Sequence, residues 1–194
     1  MTHFIQLSEV LRNYYDIPEQ ELAKINNVFF PYNLKKGEFF VRSGFMADSI
    51  GFIVTGLLRY YYIDKEGVEY TKAFAAENDF AVSYASMLLK KPSAFSIEAL
   101  ENSELLCINY SDWEKLLDSA PCWNIVARKI VENVYIMKQI REAELLLEDA
   151  QSRYIHFMDQ YPKLHKRLKQ HYIASYLGIS PVSLSRIRRK LSNH

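Results

Sequence analysis

The spacing of apolar residues changes period twice along the chain. Near the start, Phe4, Leu7, Val10 and Leu11 recur at three- and four-residue intervals, and Leu22, Ile25 and Val28 follow after Ile17-Pro18-Glu19. Side chains so spaced share one face of a helix, which predicts helices within residues 4–30. From about Tyr32 to Tyr110, short β-prone runs take over at 39–41, 51–54, 57–63, 68–74, 95–99 and 104–108. Lys36-Gly37, Ser43-Gly44, Thr55-Gly56 and Lys65-Glu66-Gly67 supply turns between several of them. No helix fits between these runs, so a parallel sheet is excluded and a small sandwich or barrel is predicted.

Helical spacing returns after Ser111, which forms a capping-box pattern with Glu114. A long helix is predicted over 121–147. Along it Val126, Ile130, Val134 and Met137, then Arg141, step by four, four, three and four. This narrow stripe suits a helix–helix seam or packing on the chain's own β-domain. A further helix over 150–161 ends before Pro162 and carries Tyr154, Phe157, Met158 and Tyr161 on one side.

The stretch 172–191 has the spacing of a helix-turn-helix. Ile173, Ala174 and Leu177 line the inner side of a first helix, and Gly178 sits where the turn favours positive φ. Ile179 plugs the corner, Ser180 caps the second helix, and Pro181 occupies its first turn, where its missing N–H costs nothing. Leu184, Ile187 and Leu191 then face inward. Outward lie Val182, Ser183, Ser185, Arg186, Arg189 and Lys190. In such a motif the second helix enters the major groove of duplex DNA. Arg186 is predicted to read a guanine edge, with Arg188, Arg189 and Lys190 on phosphates; for Arg188 a solvated side chain fits equally well.

Charge sharpens this picture. Residues 151–194 hold nine Lys/Arg and one acid, whereas residues 1–150 hold 15 basic and 22 acidic side chains. A basic segment suits a polyphosphate partner, with a solvated basic surface as the plainer reading. The composition, 49% apolar and 24% charged with six Gly and six Pro, is that of a folded globular chain. No signal peptide and no membrane-length apolar run is read, which predicts a cytoplasmic protein without membrane contact. Cys107 and Cys122 have no metal-type spacing, and no metal or cofactor is expected. The chain lacks a phosphate loop, a metal-binding histidine pair and a Gly-x-Ser-x-Gly elbow, and Ser83, Tyr84 and Ser86 have no evident base, so an enzyme is not expected.

Gly37, Gly44 and Gly56, with 52–56 running Phe-Ile-Val-Thr-Gly, resemble the β-roll of cyclic-nucleotide-binding domains. Asn78-Asp79-Phe80 resembles the Gly-Asp-Phe segment before that fold's phosphate-binding cassette. Asp149-Ala150-Gln151-Ser152-Arg153 resembles the junction between dimer helix and DNA-binding domain. In this order, over about residues 30–191, the chain resembles the cyclic-AMP receptor/FNR (Crp/Fnr) transcription regulators. The resemblance implies an α+β chain: a jelly-roll-like β-roll sensor over 1–120, a dimerisation helix over 121–148, and a winged-helix-type helix-turn-helix domain over 149–194. The given sequence runs three residues past Leu191, so the wing is expected to be absent or very short.

It also implies a cytoplasmic homodimer on a palindromic operator, with Val126, Ile130, Val134 and Met137 at the two-fold axis and Ser180, Pro181, Val182, Ser183, Ser185, Arg186, Arg188, Arg189 and Lys190 at the DNA. A small effector and RNA polymerase are further partners it implies. The family's cyclic-AMP cassette uses a Gly-Glu pair for the ribose and an Arg-Ser pair for the phosphate. Aligned from Asp79-Phe80, those positions hold Val82-Ser83 and Ser93-Ala94, so cyclic AMP is not the expected effector. Val82, Ser83, Tyr84, Ser93 and Ala94 remain the pocket candidates, with Lys138 and Gln139 on the long helix, where a solvated face is the alternative. Pro181 and Val182 replace the family's Arg-Glu base readers. A ligand-binding module with little or no specific DNA binding is the competing reading.

Overall fold

The computed structural model of the protein describes Thr2–Ser192. Its residues fall into two units: residues up to Tyr62 with Ala73–Asn133, and Ile63–Lys72 with residues from Val134 onward.

In the first unit α1 (Thr2–Tyr14), α2 (Glu19–Leu22) and α3 (Ile25–Val28) precede the strands. Leu7, Leu11, Ile17, Leu22 and Ile25 are all buried, as their spacing requires. Eight strands follow in two four-stranded sheets. One has the order β1 (Phe30–Leu34), β8 (Ser103–Asn109), β3 (Ser49–Thr55), β6 (Phe80–Ala81). The other has β2 (Phe39–Val41), β7 (Ser96–Ala99), β4 (Leu57–Ile63), β5 (Glu69–Ala76). The β1/β8, β8/β3, β3/β6, β2/β7 and β7/β4 pairs are antiparallel. Phe52, Ile53, Leu58, Ile97 and Leu106 are sealed in the core, joined by Trp123. Gly56, between β3 and β4, has φ +116°, and a Cβ there would lie 2.7 Å from the Ser103 Cα. Only glycine lets the chain turn that close to β8.

Three local expectations are corrected. Strand β1 was not predicted; it is a sheet edge, which tolerates Pro31. A helix, α4 (Tyr84–Leu89), does lie between β6 and β7, too short to show an apolar period. Helix α5 (Tyr110–Ser119) starts before Ser111, with Asn109 in the cap position and no side-chain cap. There β8 runs straight into the helix and the Tyr110 N–H donates to the Asp48 carbonyl at 2.7 Å, so the Ser111–Glu114 box is not used.

Helix α6 (Pro121–Leu147) has the predicted ends. Cys122, Trp123 and Val126 near its start are buried, whereas residues 131–140 are exposed without exception. The remaining elements are α7 (Ala150–Gln160), a 3₁₀ turn (Leu164–Lys166), α8 (Gln170–Leu177) and α9 (Pro181–Ser192). Among the described residues no strand follows α9, and no helix is long and apolar enough to cross a membrane.

Candidate functional site

The turn between α8 and α9 is built by local chemistry. Gly178 takes φ +69°, its N–H bonds to the Ser175 carbonyl at 3.2 Å, and the Ile179 N–H reaches the Ala174 carbonyl at 3.0 Å. These bonds close the end of α8, which a left-handed glycine permits. Two residues later the Ser180 hydroxyl accepts from the Ser183 N–H at 3.1 Å, capping α9. Ile173, Ala174, Leu177 and Leu184 are buried where the two helices meet, and Ile187 and Leu191 are half-buried beside them. The packing leaves Pro181, Val182, Ser185, Arg186, Arg188, Arg189 and Lys190 exposed, with Ser183 half-buried. All nine predicted DNA-facing residues therefore lie on one helix or its cap. Over Pro181–Ser192 there are four basic side chains and no acid.

Contacts that no local pattern announces hold this helix pair in place. The Ser175 hydroxyl on α8 donates to the Glu69 carbonyl at 3.0 Å and accepts from the Thr71 N–H at 2.9 Å. It thus grips the backbone edge of β5 from more than 100 residues away. Arg141 on α6 bonds to the Tyr176 carbonyl, pairs with Glu144 at 3.1 Å, and lies 4.0 Å over the Tyr176 ring. Arg153 on α7 donates to the Leu177 carbonyl at 3.2 Å and the Glu148 carbonyl at 2.5 Å, while Asp149 caps α7 through the Ser152 N–H at 2.8 Å. Through these bonds the 149–153 segment anchors the end of α6 to the end of α8.

In the segment that resembles the cassette, Asn78 adopts φ +73°, a conformation that glycine takes most readily and asparagine tolerates. Beyond it Ser83 and Ser93 meet, their hydroxyl oxygens 2.8 Å apart and both side chains buried. The Ser93 hydroxyl also donates to the Phe95 carbonyl at 2.8 Å. Ser86, below them, bridges the Ala47 N–H at 3.1 Å and the Lys91 carbonyl at 2.5 Å. Val82 and Tyr84 pack partly against the core, Ala94 is exposed, and Lys90 and Lys91 point to solvent. The cassette brings Ser83 and Ser93 together, and no carboxylate or guanidinium stands at either position.

On α6, Lys138 and Gln139 are both exposed. Lys138 is close enough to Lys72 on β5 to repel its charge; burial first, then this repulsion, lowers the Lys72 ammonium to about 8. The candidates for a dimer seam divide. Val126 is fully buried in the first unit and Ile130 packs partly on the same core, so Val126 has no surface to offer a partner. Val134 and Met137 are 48% and 44% exposed, and Val131, Tyr135, Ile136 and Ile140 are open beside them.

Among the described residues no group of three His, Cys, Asp or Glu could hold a metal ion. Comparison with known proteins places this geometry. Residues 31–120 match the cyclic nucleotide-binding domain family. A regulator assigned to the Crp/Fnr family from Eubacterium rectale superposes with a TM-score of 0.72 at 16% identity, covering 93% of this chain and 88% of that one. A CooA mutant from Carboxydothermus hydrogenoformans gives 0.70 at 15% identity, covering 88% and 79%. The c-di-GMP-responsive global regulator CLP from Xanthomonas campestris gives 0.70 at 13% identity, covering 91% and 92%. Among curated proteins, no sequence matches. Residues 31–120 are thus a cyclic nucleotide-binding domain, and the chain that carries them has the α+β fold of the Crp/Fnr regulators.

Proposed function

We propose that the protein is a DNA-binding transcription regulator that works as a homodimer on a palindromic site and is not an enzyme. The observation that carries this reading is α9: four basic residues, no acid, and an exposed face that its buried side cannot use. Lys and Arg so placed displace the counterions condensed on phosphates, and two-fold pairing presents two such helices to two half-sites. The six exposed apolar side chains between Val131 and Ile140 support the dimer, because clustered apolar surface marks an interface. Any small-molecule effector is other than cyclic AMP, since Ser83 and Ser93 supply neither the acid for a ribose nor the cation for a phosphate. RNA polymerase is the further partner this reading implies.

Gel shift against random duplex DNA at two salt concentrations tests the proposal. The expected result is retardation that weakens steeply with salt, about a thousandfold between roughly 50 and 200 mM if about six phosphates are contacted. No retardation at the lower salt would instead favour a ligand-binding module without DNA binding.

A further inference from the structure

Val182 does not follow the rule that orders the rest of α9. At about 100° per residue it lies about 180° from Leu191 and about 160° from Leu184, the inward side chains of the helix. It is 62% exposed and so contributes little to the core. Nor does it favour the helix, since a β-branched side chain loses rotamer freedom there. Within about 40° of it, on the same outward face, stand Arg186 one turn on and Arg189 two turns on. Beside it on that face is the small Ser185, while the half-buried Ser183, about 100° round the helix, bonds back to Ser180. An apolar branched side chain thus sits at the centre of a basic face, in the turn of the helix that leads into the groove.

Resting on the reading of α9 as the DNA-reading helix, we infer that Val182 reads the C5-methyl group of a thymine. The major groove offers hydrogen-bonding edges at every base pair but only one apolar group, the thymine methyl. Valine has no donor or acceptor and cannot read the polar edges. Its two methyl groups against the thymine methyl exclude water from both, and cytosine at that position leaves the valine facing an amino group. The surrounding charge is complementary to the duplex and holds the contact at the groove floor. The site therefore combines a polar reader, Arg186, with an apolar one a single helical turn away.

The test begins with selection of a preferred site from a random duplex library. Each thymine of a half-site is then replaced by deoxyuridine, which removes the methyl and leaves every base-pairing group in place. The expected result is one position at which the swap weakens binding by about fourfold for each methyl lost, the effect of burying one such carbon. In Val182→Ala that penalty disappears while helix content by circular dichroism, which reports an intact fold, is unchanged. A selected site with no methyl-sensitive thymine, or a penalty that persists in Val182→Ala, overturns the inference and leaves the DNA-binding reading standing. Failure to select any site overturns both.

Discussion

The hydroxyl of Ser83 donates its proton to Ser93, and Ser93 passes its own to the carbonyl of Phe95. The direction follows from counting: each hydroxyl has one proton, and that of Ser93 is committed to the carbonyl. Ser83 stands in the cap position of α4 but leaves the cap unmade, because its side chain is occupied across the cassette. The segment is thus closed on itself at the two positions where its relatives' cassette would meet ribose and phosphate.

Cyclic AMP should therefore fail to bind. Calorimetry is expected to show no dissociation constant as tight as about 10 micromolar, which corresponds to roughly −7 kcal/mol. Binding at or below that value would show that the serine pair opens and that another cation serves the phosphate.

The exposed face of α6 predicts a dimer that two acids destroy. Val134→Asp with Met137→Asp should give monomers in sedimentation, since both side chains are outside the core of the first unit and a charge there is harmless to a lone chain. Val126 is excluded from this test because it is already fully buried in one chain. A double variant that remains dimeric would place the interface elsewhere.

Arg186 and Lys190 should separate reading from holding. Arg186→Ala is expected to lose about 1–3 kcal/mol on a selected site and little on random DNA, as the loss of a bidentate base contact does. Lys190→Ala should weaken both alike and flatten the salt dependence by about one counterion. Equal loss on both DNAs for Arg186→Ala would make it a backbone contact and shift base reading to its neighbours.

Lys72 gives the fold a pH dependence with a definite sign. Burial and the nearby Lys138 lower its folded value to about 8 from the ordinary 10.5. Between those values the unfolded chain holds a proton that the folded chain has released, so folding is favoured as pH rises through the window. In urea titrations at pH 7.5 and 9.5, Lys72→Met should be the more stable protein at the lower pH, with the gap to wild type narrowing at the higher. A gap that stays constant would mean that Lys72 keeps its proton in both states.

Much of the architecture was legible because it is governed by local rules. The start of α6 falls where Pro121 opens the helix, and the α8–α9 turn follows from Gly178, Ser180 and Pro181 in succession. The stripe on α6 was harder to read. Val126 and Met137 share one helical face, but the first meets the core of its own chain and the second meets solvent. Periodicity reports the face and is silent on what covers it. The Ser83–Ser93 contact was visible only as a departure from a familiar pattern, because a hydrogen bond between side chains ten residues apart depends on packing. The grip of Ser175 on β5 left no trace in the sequence: serine on a helix is commonplace, and its partners are backbone atoms.

That grip decides how the molecule can be divided. The unit that carries α9 is assembled from two separate stretches of chain, Ile63–Lys72 and the residues from Val134 onward. A fragment starting near residue 134 would contain every residue proposed to face DNA and still lack the strand edge on which Ser175 closes. The α8–α9 pair is therefore not portable as a single length of gene. Grafting it onto another sensor would require that sensor to bring a hairpin of its own, shaped to meet α8.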